Sequence, residues 1–342
     1  MTHPLDMSNL RQMILDGPDQ LRAGFEIAKD IRVEGKFRSI EISGMGGSAL
    51  PGNLFRVYLS DLARRKKEIT PRLSIFQNRF YTLPHEAYDE CLNFFCSYSG
   101  NTEETISSFE EALAHGLPCI ALSGGGKIEA MAQQYGVPHV KLPVPSENFQ
   151  PRMGTGYFFG AMFQILVNQG LVPDMTSELL DEAAAVKRAL GSIEEQGKAL
   201  ALKLAGKTPV IYTSTRYKSV AMIWKIKLNE NTKTPAFWNF FPELNHNEMV
   251  GWTLPQGQFY VLMLRDVDDH PANLKRFAVT ADLLRKQGVE VEVLDMDGET
   301  VYAKMFQSIA LGDFTSYYLA LEYGQDPTPV EMVEKLKGLL VD

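Results

Sequence analysis

The sequence predicts an α/β protein made of two subdomains of one kind, each a parallel sheet flanked by helices. Three observations carry this. Short apolar runs alternate with helical runs through the first half, the pattern of βαβ units. The alternation resumes after a long helical stretch in the second half. Each half opens with a strand, a turn bearing Ser or Thr, and then a helix.

Taken in order, Ser39–Ser43 is a strand, followed by Gly44-Met45-Gly46-Gly47-Ser48 and a helix rich in Leu, Phe and Val. Leu73–Phe76 is the second strand. Leu92–Cys96 is the third and leads into Ser97-Tyr98-Ser99-Gly100-Asn101-Thr102, then an acidic helix start, Glu103-Glu104. Pro118–Leu122 and Val137–Leu142 are the fourth and fifth strands. Three prolines make Pro143–Arg152 a loop, after which helix returns from Gly154 to Asn168. Leu171-Val172-Pro173-Asp174 reads as a linker, which puts the first domain at 1–172 and the second at 173–342. Thr176–Leu204 is a long helix; Pro209–Thr213, Phe259–Leu264 and Val289–Leu294 are strands; a helix from Pro329 ends the chain.

Composition narrows the class. A chain of 342 residues is long enough for two domains and a sizeable core without disulfides. Its net charge of -8 argues against nucleic acid, whose phosphate backbone selects a basic surface. Cys91, Cys96 and Cys119 are an odd number of thiols, two of them inside apolar runs, and read as reduced core residues rather than a catalytic nucleophile. The N-terminal segment shows no signal-peptide pattern, and the most apolar stretch, Tyr157–Val172, is short for a membrane span and interrupted by Gln164, Asn168 and Gln169. A cytoplasmic protein with no membrane partner is expected.

The turns after the first and third strands carry the chemistry. In an open parallel sheet, ligands bind beyond the carboxyl ends of the strands. Glycine lets the backbone approach a phosphate, and the following helix N-terminus offers free N–H donors and a positive dipole end. Ser48, Ser97, Ser99 and Thr102 add hydroxyls to Gly46 and Gly47. A dinucleotide fingerprint is the competing reading of Gly44–Gly47. It wants a third glycine and an acid at the end of the next strand, where Gln77-Asn78-Arg79 stands instead. No cofactor is expected. The six histidines (His3, His85, His115, His139, His246 and His270) show no metal-ligand spacing, so no metal is expected either.

These turns resemble the first-domain motifs of sugar isomerase (SIS) proteins. Together with Gln150-Pro151-Arg152, Asn229-Glu230-Asn231 and Glu243-Leu244-Asn245-His246-Asn247-Glu248, they resemble the bifunctional phosphoglucose/phosphomannose isomerase family over nearly the whole chain, in order. The resemblance implies two SIS-type subdomains, with the active site between them and across a homodimer interface. It implies that the glycines and hydroxyls of the two turns hold the substrate phosphate and that Glu230 moves the proton between C1 and C2. It further implies that His246, supplied by the neighbouring subunit, assists ring opening, that Arg152 stabilises the enediolate, and that a C-terminal lysine acts at the ring oxygen. The reaction implied is interconversion of glucose 6-phosphate, and of mannose 6-phosphate, with fructose 6-phosphate through a cis-enediol.

The residue chemistry agrees. Aldose–ketose isomerisation needs a carboxylate base, an acid–base group to open the ring, and a cation near the developing oxyanion. Glu243 and Glu248, beside His246, are the alternative bases. For the lysine, the apolar positions Val330, Met332, Val333, Leu336, Leu339 and Leu340 put Lys337 at the edge of the apolar face and Lys335 away from it, which selects Lys337. Pro51 is expected to break the helix after the first turn, and Met153 stands where a small or hydroxyl residue is expected. Two alternatives stand beside the isomerase: a non-catalytic SIS module that senses a sugar phosphate, which would not need Glu230 and His246, and an isomerase of another phosphosugar.

Overall fold

The computed structural model describes residues 3–65 and 73–340. The chain divides into two compact units, Asp16–Lys187, and Met1–Leu15 together with Arg188–Asp342. The division falls inside a long helix rather than at the Leu171–Asp174 stretch, and it assigns the first fifteen residues to the C-terminal unit. That assignment has a physical basis. In α1 (Leu10–Asp16), Arg11 forms a two-point ion pair with Glu194, Nε to Oε1 at 2.5 Å and Nη2 to Oε2 at 2.7 Å. Tyr318 donates its hydroxyl to the same carboxylate at 2.6 Å.

Asp16–Lys187 begins with α2 (Gln20–Ala28) and then alternates β1 (Ser39–Gly44), α3 (Gly46–Arg65), β2 (Ser74–Asn78), β3 (Cys91–Cys96), α4 (Glu103–Ala114), β4 (Cys119–Ser123), α5 (Gly126–Tyr135) and β5 (His139–Lys141). The sheet is wholly parallel in the order β2-β1-β3-β4-β5. Every residue of β1 and of β3 is buried. Helices therefore cover both faces of the central strands, which is why these runs carry no clean apolar–polar alternation. The chain leaves β1 for β2 at one edge and then crosses to β3 on the other side of β1. The strand order reverses there, and the turns after β1 and β3 open at that point. The five strands expected from the sequence are all present, with ends shifted by one or two residues. α3 runs unbroken through Pro51. So close to the helix start, the missing N–H forfeits one bond, to the carbonyl of Gly47.

α6 (Thr155–Asn168) is the buried helix expected from the apolar stretch, and it stacks Phe159 on Phe55 of α3 with ring centroids 4.4 Å apart. Among the described residues no helix is long and apolar enough to cross a membrane. The three cysteines are free and buried, and burial pushes the Cys91 and Cys119 thiols up to about 12. They are inert core groups, as expected.

α7 (Thr176–Leu204) contains the division. Arg188–Asp342 then carries β6 (Thr208–Ser214), α8 (Lys218–Thr232), β7 (Phe237–Phe241), β8 (Phe259–Arg265), α9 (Pro271–Lys286), β9 (Glu290–Asp295), α10 (Val301–Glu322) and α11 (Glu331–Leu340). Its four strands are parallel in the order β7-β6-β8-β9. Tyr212, Phe241, Trp252, Met263 and Phe277 form the core on one face of this sheet. α8 and α10 pack closely enough that a Cβ on Gly312 would lie 2.9 Å from the Trp224 indole. β7 is a strand that sequence reasoning did not assign.

Candidate functional site

Hydroxyl-to-backbone bonds build the two turns of Asp16–Lys187 into one unit. Ser48 Oγ accepts the Tyr98 N–H at 3.0 Å, tying the first turn to the second. Ser97 Oγ lies 2.8 Å from Thr102 Oγ1 and also accepts the Gly100 N–H at 3.1 Å. Ser99 Oγ accepts the Asn101 N–H at 3.2 Å. Gly100 is required here: its φ is +72°, and a Cβ would lie 1.7 Å from the Gly125 carbonyl oxygen. Thr102 is the N-cap of α4, yet its side chain does not cap the helix. Its hydroxyl bonds Ser97 Oγ instead, so the first-turn N–H groups of α4 are not capped by this side chain. Ser48 and Ser97 are buried, Thr102 is half-buried, and Ser99 and Gly46 are exposed, so the paired turns have a buried floor and an open rim.

Arg152 adjoins the paired turns. It is 2% exposed, on a short 3-10 segment, Pro151–Met153. A Cβ on Gly47 would lie 2.7 Å from its Cα, so the arginine segment packs directly on the first turn. Nη1 donates to Gln150 Oε1 at 2.9 Å, which orients the guanidinium. Met153 is buried, and its carbonyl accepts from Gln20 Nε2 at 2.8 Å. A backbone bond of this kind makes no demand on the side chain at 153.

The remaining sequence-selected residues belong to the other unit. Glu230 is half-buried in the last turn of α8. Its neighbours anchor that turn: Asn229 Oδ1 accepts the Ala236 N–H at 3.2 Å, and Asn231 Nδ2 donates to Ser316 Oγ of α10 at 2.9 Å. One turn earlier, Lys227 and Asp313 form a buried ion pair at 2.7 Å between α8 and α10. His246 ends the short 3-10 segment Glu243–His246 and is exposed. Asn245 beside it is held by Thr280 and Arg276 of α9, at 3.0 and 3.1 Å. Asn247 donates to Glu243 at 2.9 Å. Glu248 accepts from Tyr212 and from Asn239.

The expected burial of the C-terminal lysine, not its role, requires a correction. Lys337 was expected to enter the protein on the apolar face of its helix. In the structure no residue of α11 is buried, and Met332 and Leu339 are 86% and 72% exposed. Lys337 points to solvent and pairs with Glu334 at 2.7 Å. The periodicity located the helix and its apolar face correctly. That the face must be covered did not follow.

Sequence reasoning missed the supporting groups: Gln150 behind Arg152, the Tyr98 N–H behind Ser48, and Tyr212 and Asn239 behind Glu248. A usable signal was present in the dense run of Asn and Glu around His246. Short polar side chains in a turn most often hold their own loop.

Residues 193–340 match the bacterial phospho-glucose isomerase C-terminal SIS domain. The chain is 36% identical over 339 residues to the bifunctional phosphoglucose/phosphomannose isomerase of Caldicellulosiruptor bescii, covering 95% of this chain and 97% of that one. The protein of the same name from Aquifex aeolicus is 33% identical over 314 residues, covering 91% and 92%. The solved structure of tagatose-6-phosphate ketose/aldose isomerase from Escherichia coli superposes with a TM-score of 0.66 at 15% identity, covering 93% of this chain and 94% of that one, a likeness of fold.

Proposed function

We propose that this chain, which belongs to the bifunctional phosphoglucose/phosphomannose isomerase family, interconverts glucose 6-phosphate and mannose 6-phosphate with fructose 6-phosphate through a shared cis-enediol and without a metal. The observation that carries the reading is full-length relationship to enzymes of that name, with an acid–base set in the matching motifs. A sensing module would need the phosphate turns but not Glu230 and His246.

Each group has one task. Gly46, Gly47, Ser48, Ser97, Ser99 and Thr102 hold the phosphate, helped by the uncapped N-terminus of α4. His246 transfers a proton at the ring oxygen as the ring opens. Lys337 is the cation for that oxygen; its exposed pair with Glu334 is worth little and exchanges readily for a substrate. Glu230 removes the proton from C2 of the aldose and returns it to C1 of the ketose. Arg152 stabilises the enediolate oxygen that develops in this step. One base serving both sugars requires only that the pocket accept either configuration at C2. The working form is a homodimer in which His246 completes the neighbour's site, and it acts in the cytoplasm, where buried thiols stay reduced. In this reading the first subdomain ends at residue 172 and the second begins at 173, although the compact units divide after Lys187.

A coupled assay of the purified protein with each sugar phosphate, with and without a strong chelator, tests the reading. Turnover of both sugars with chelator present is expected. Turnover of neither, or activity lost to chelator and restored by zinc, refutes it.

A further inference from the structure

The motif around His246 contains a second carboxylate whose surroundings define its role. Glu248 opens the 3-10 segment Glu248–Thr253, two residues beyond His246. Its two oxygens are divided between two strands. Oε1 accepts the Tyr212 hydroxyl of β6, and Oε2 accepts the Asn239 amide of β7. Tyr212 and Asn239 are register partners on these adjacent parallel strands, so one carboxylate straddles the pair. Both donors are themselves fixed. The Tyr212 hydroxyl accepts the Trp252 indole N–H at 2.9 Å, and Asn239 Oδ1 accepts the Phe240 N–H at 2.8 Å. Burial, followed by the bond to Glu248, raises the Tyr212 hydroxyl well above its ordinary pKa, so it stays a donor. The loop backbone closes on the same point: Asn247 Oδ1 accepts the Glu248 N–H at 2.6 Å.

We infer that Glu248 is a positioning residue that pins the His246 loop to the β6–β7 strand pair and takes no proton itself. Leu244 is buried in the core, Asn245 is held by α9, Asn247 by Glu243, and Glu248 by the sheet. Among the described residues, His246 alone in this run presents an exposed side chain without a hydrogen bond, on a loop fixed at each flanking residue. A general base needs an oxygen directed at the substrate. Both oxygens of Glu248 face donors of the fold. The inference rests on the reading of His246 as the ring-opening group.

The test compares Glu248→Gln, Glu248→Ala and His246→Ala singly, with the double variant Glu248→Ala/His246→Ala. Gln keeps the length of the side chain and half of the straddle, its oxygen still accepting from Asn239 or from Tyr212, whereas Ala loses both bonds. Glu248→Gln should keep kcat within a few-fold of wild type, while Glu248→Ala should lose about 10²-fold in kcat, the scale of a misplaced group, with little change in KM. In the His246→Ala background the same Glu248→Ala change should add less than a twofold loss, because Glu248 acts through His246. General destabilisation would subtract the same factor in both backgrounds. Equal damage by Gln and Ala, or an equal loss in both backgrounds, overturns the inference. Wild-type turnover by Glu248→Ala with an inactive His246→Ala overturns it alone and leaves the proposed function standing. Wild-type turnover by His246→Ala removes the ring-opening assignment and the inference with it.

Discussion

Gly47 and Arg152 touch through their backbones: a Cβ at 47 would lie 2.7 Å from the Arg152 Cα and 2.8 Å from its nitrogen. The turn proposed to hold the phosphate and the segment of Arg152, the proposed enediolate cation, are therefore one packed object. Gly47→Ala should push the two apart and damage both functions at once, raising KM and lowering kcat. The strain should cost about 1–3 kcal/mol of stability, the usual range for overpacking. Urea denaturation and steady-state kinetics on one preparation check this. Unchanged KM and kcat would mean that the segment yields without consequence.

The rim hydroxyls should behave differently. Ser99→Ala and Thr102→Val remove one hydroxyl each, from an exposed and a half-buried position, while the buried Ser97 floor remains. A phosphate contact is present in ground and transition states alike, so KM should rise and kcat should hold. Each charge-assisted bond is worth about 1.5–3 kcal/mol. Initial-rate kinetics with fructose 6-phosphate decide it, and a fall in kcat at constant KM would contradict the assignment.

Lys227 and Asp313 tie the helix of Glu230 to α10 through a pair in which both side chains are almost wholly buried. Lys227→Met should remove the cationic partner of the buried Asp313 carboxylate and cost about 3–5 kcal/mol of unfolding free energy. Chemical denaturation monitored by tryptophan fluorescence is the measurement, with Trp224 in the same α8–α10 contact as reporter.

Much of this was legible in the sequence, and the gaps have physical causes. The strands of the first sheet announce themselves as apolar runs between turns. β7 does not: Phe237-Trp238-Asn239-Phe240-Phe241 is an edge strand, exposed at one end and bracketed by Pro235 and Pro242. Its signal was aromatic enrichment rather than alternation. The membership of α1 rests on Arg11 and Glu194, which are 183 positions apart, and no local pattern encodes such a contact. In the site, the family motifs selected Glu230 ahead of Glu248, and the structure adds that both oxygens of Glu248 accept from β6 and β7. Sequence spacing alone cannot show that a carboxylate is bonded to its own sheet.

Glu41 should make stability depend on pH. It is buried in the middle of β1, and burial pushes its carboxyl up to about 8, against the lowering effect of hydrogen bonds from Ser43 and Asn78. The folded state then holds a proton that the unfolded chain releases near the ordinary carboxylate pKa. Between about pH 4.5 and 8 the native state binds more protons, so this group's contribution to stability falls as pH rises and levels off above the folded value. Glu41→Gln should remove that slope. Unfolding free energies of both proteins across the window check it, and parallel curves would contradict it.

The central claim is that Glu230 carries the proton between C1 and C2 for both sugars. Glu230→Gln keeps the size of the side chain and removes its basicity. Deuterium incorporation from heavy water into C2 of glucose 6-phosphate and of mannose 6-phosphate, followed by proton NMR at equilibrium, reads that step directly. The account predicts incorporation into both sugars with the wild-type protein. It predicts a fall of at least about 10²–10⁴-fold in the variant, the scale of a general base, while fructose 6-phosphate still binds. Incorporation at a near wild-type rate in the variant, with either sugar, would contradict it.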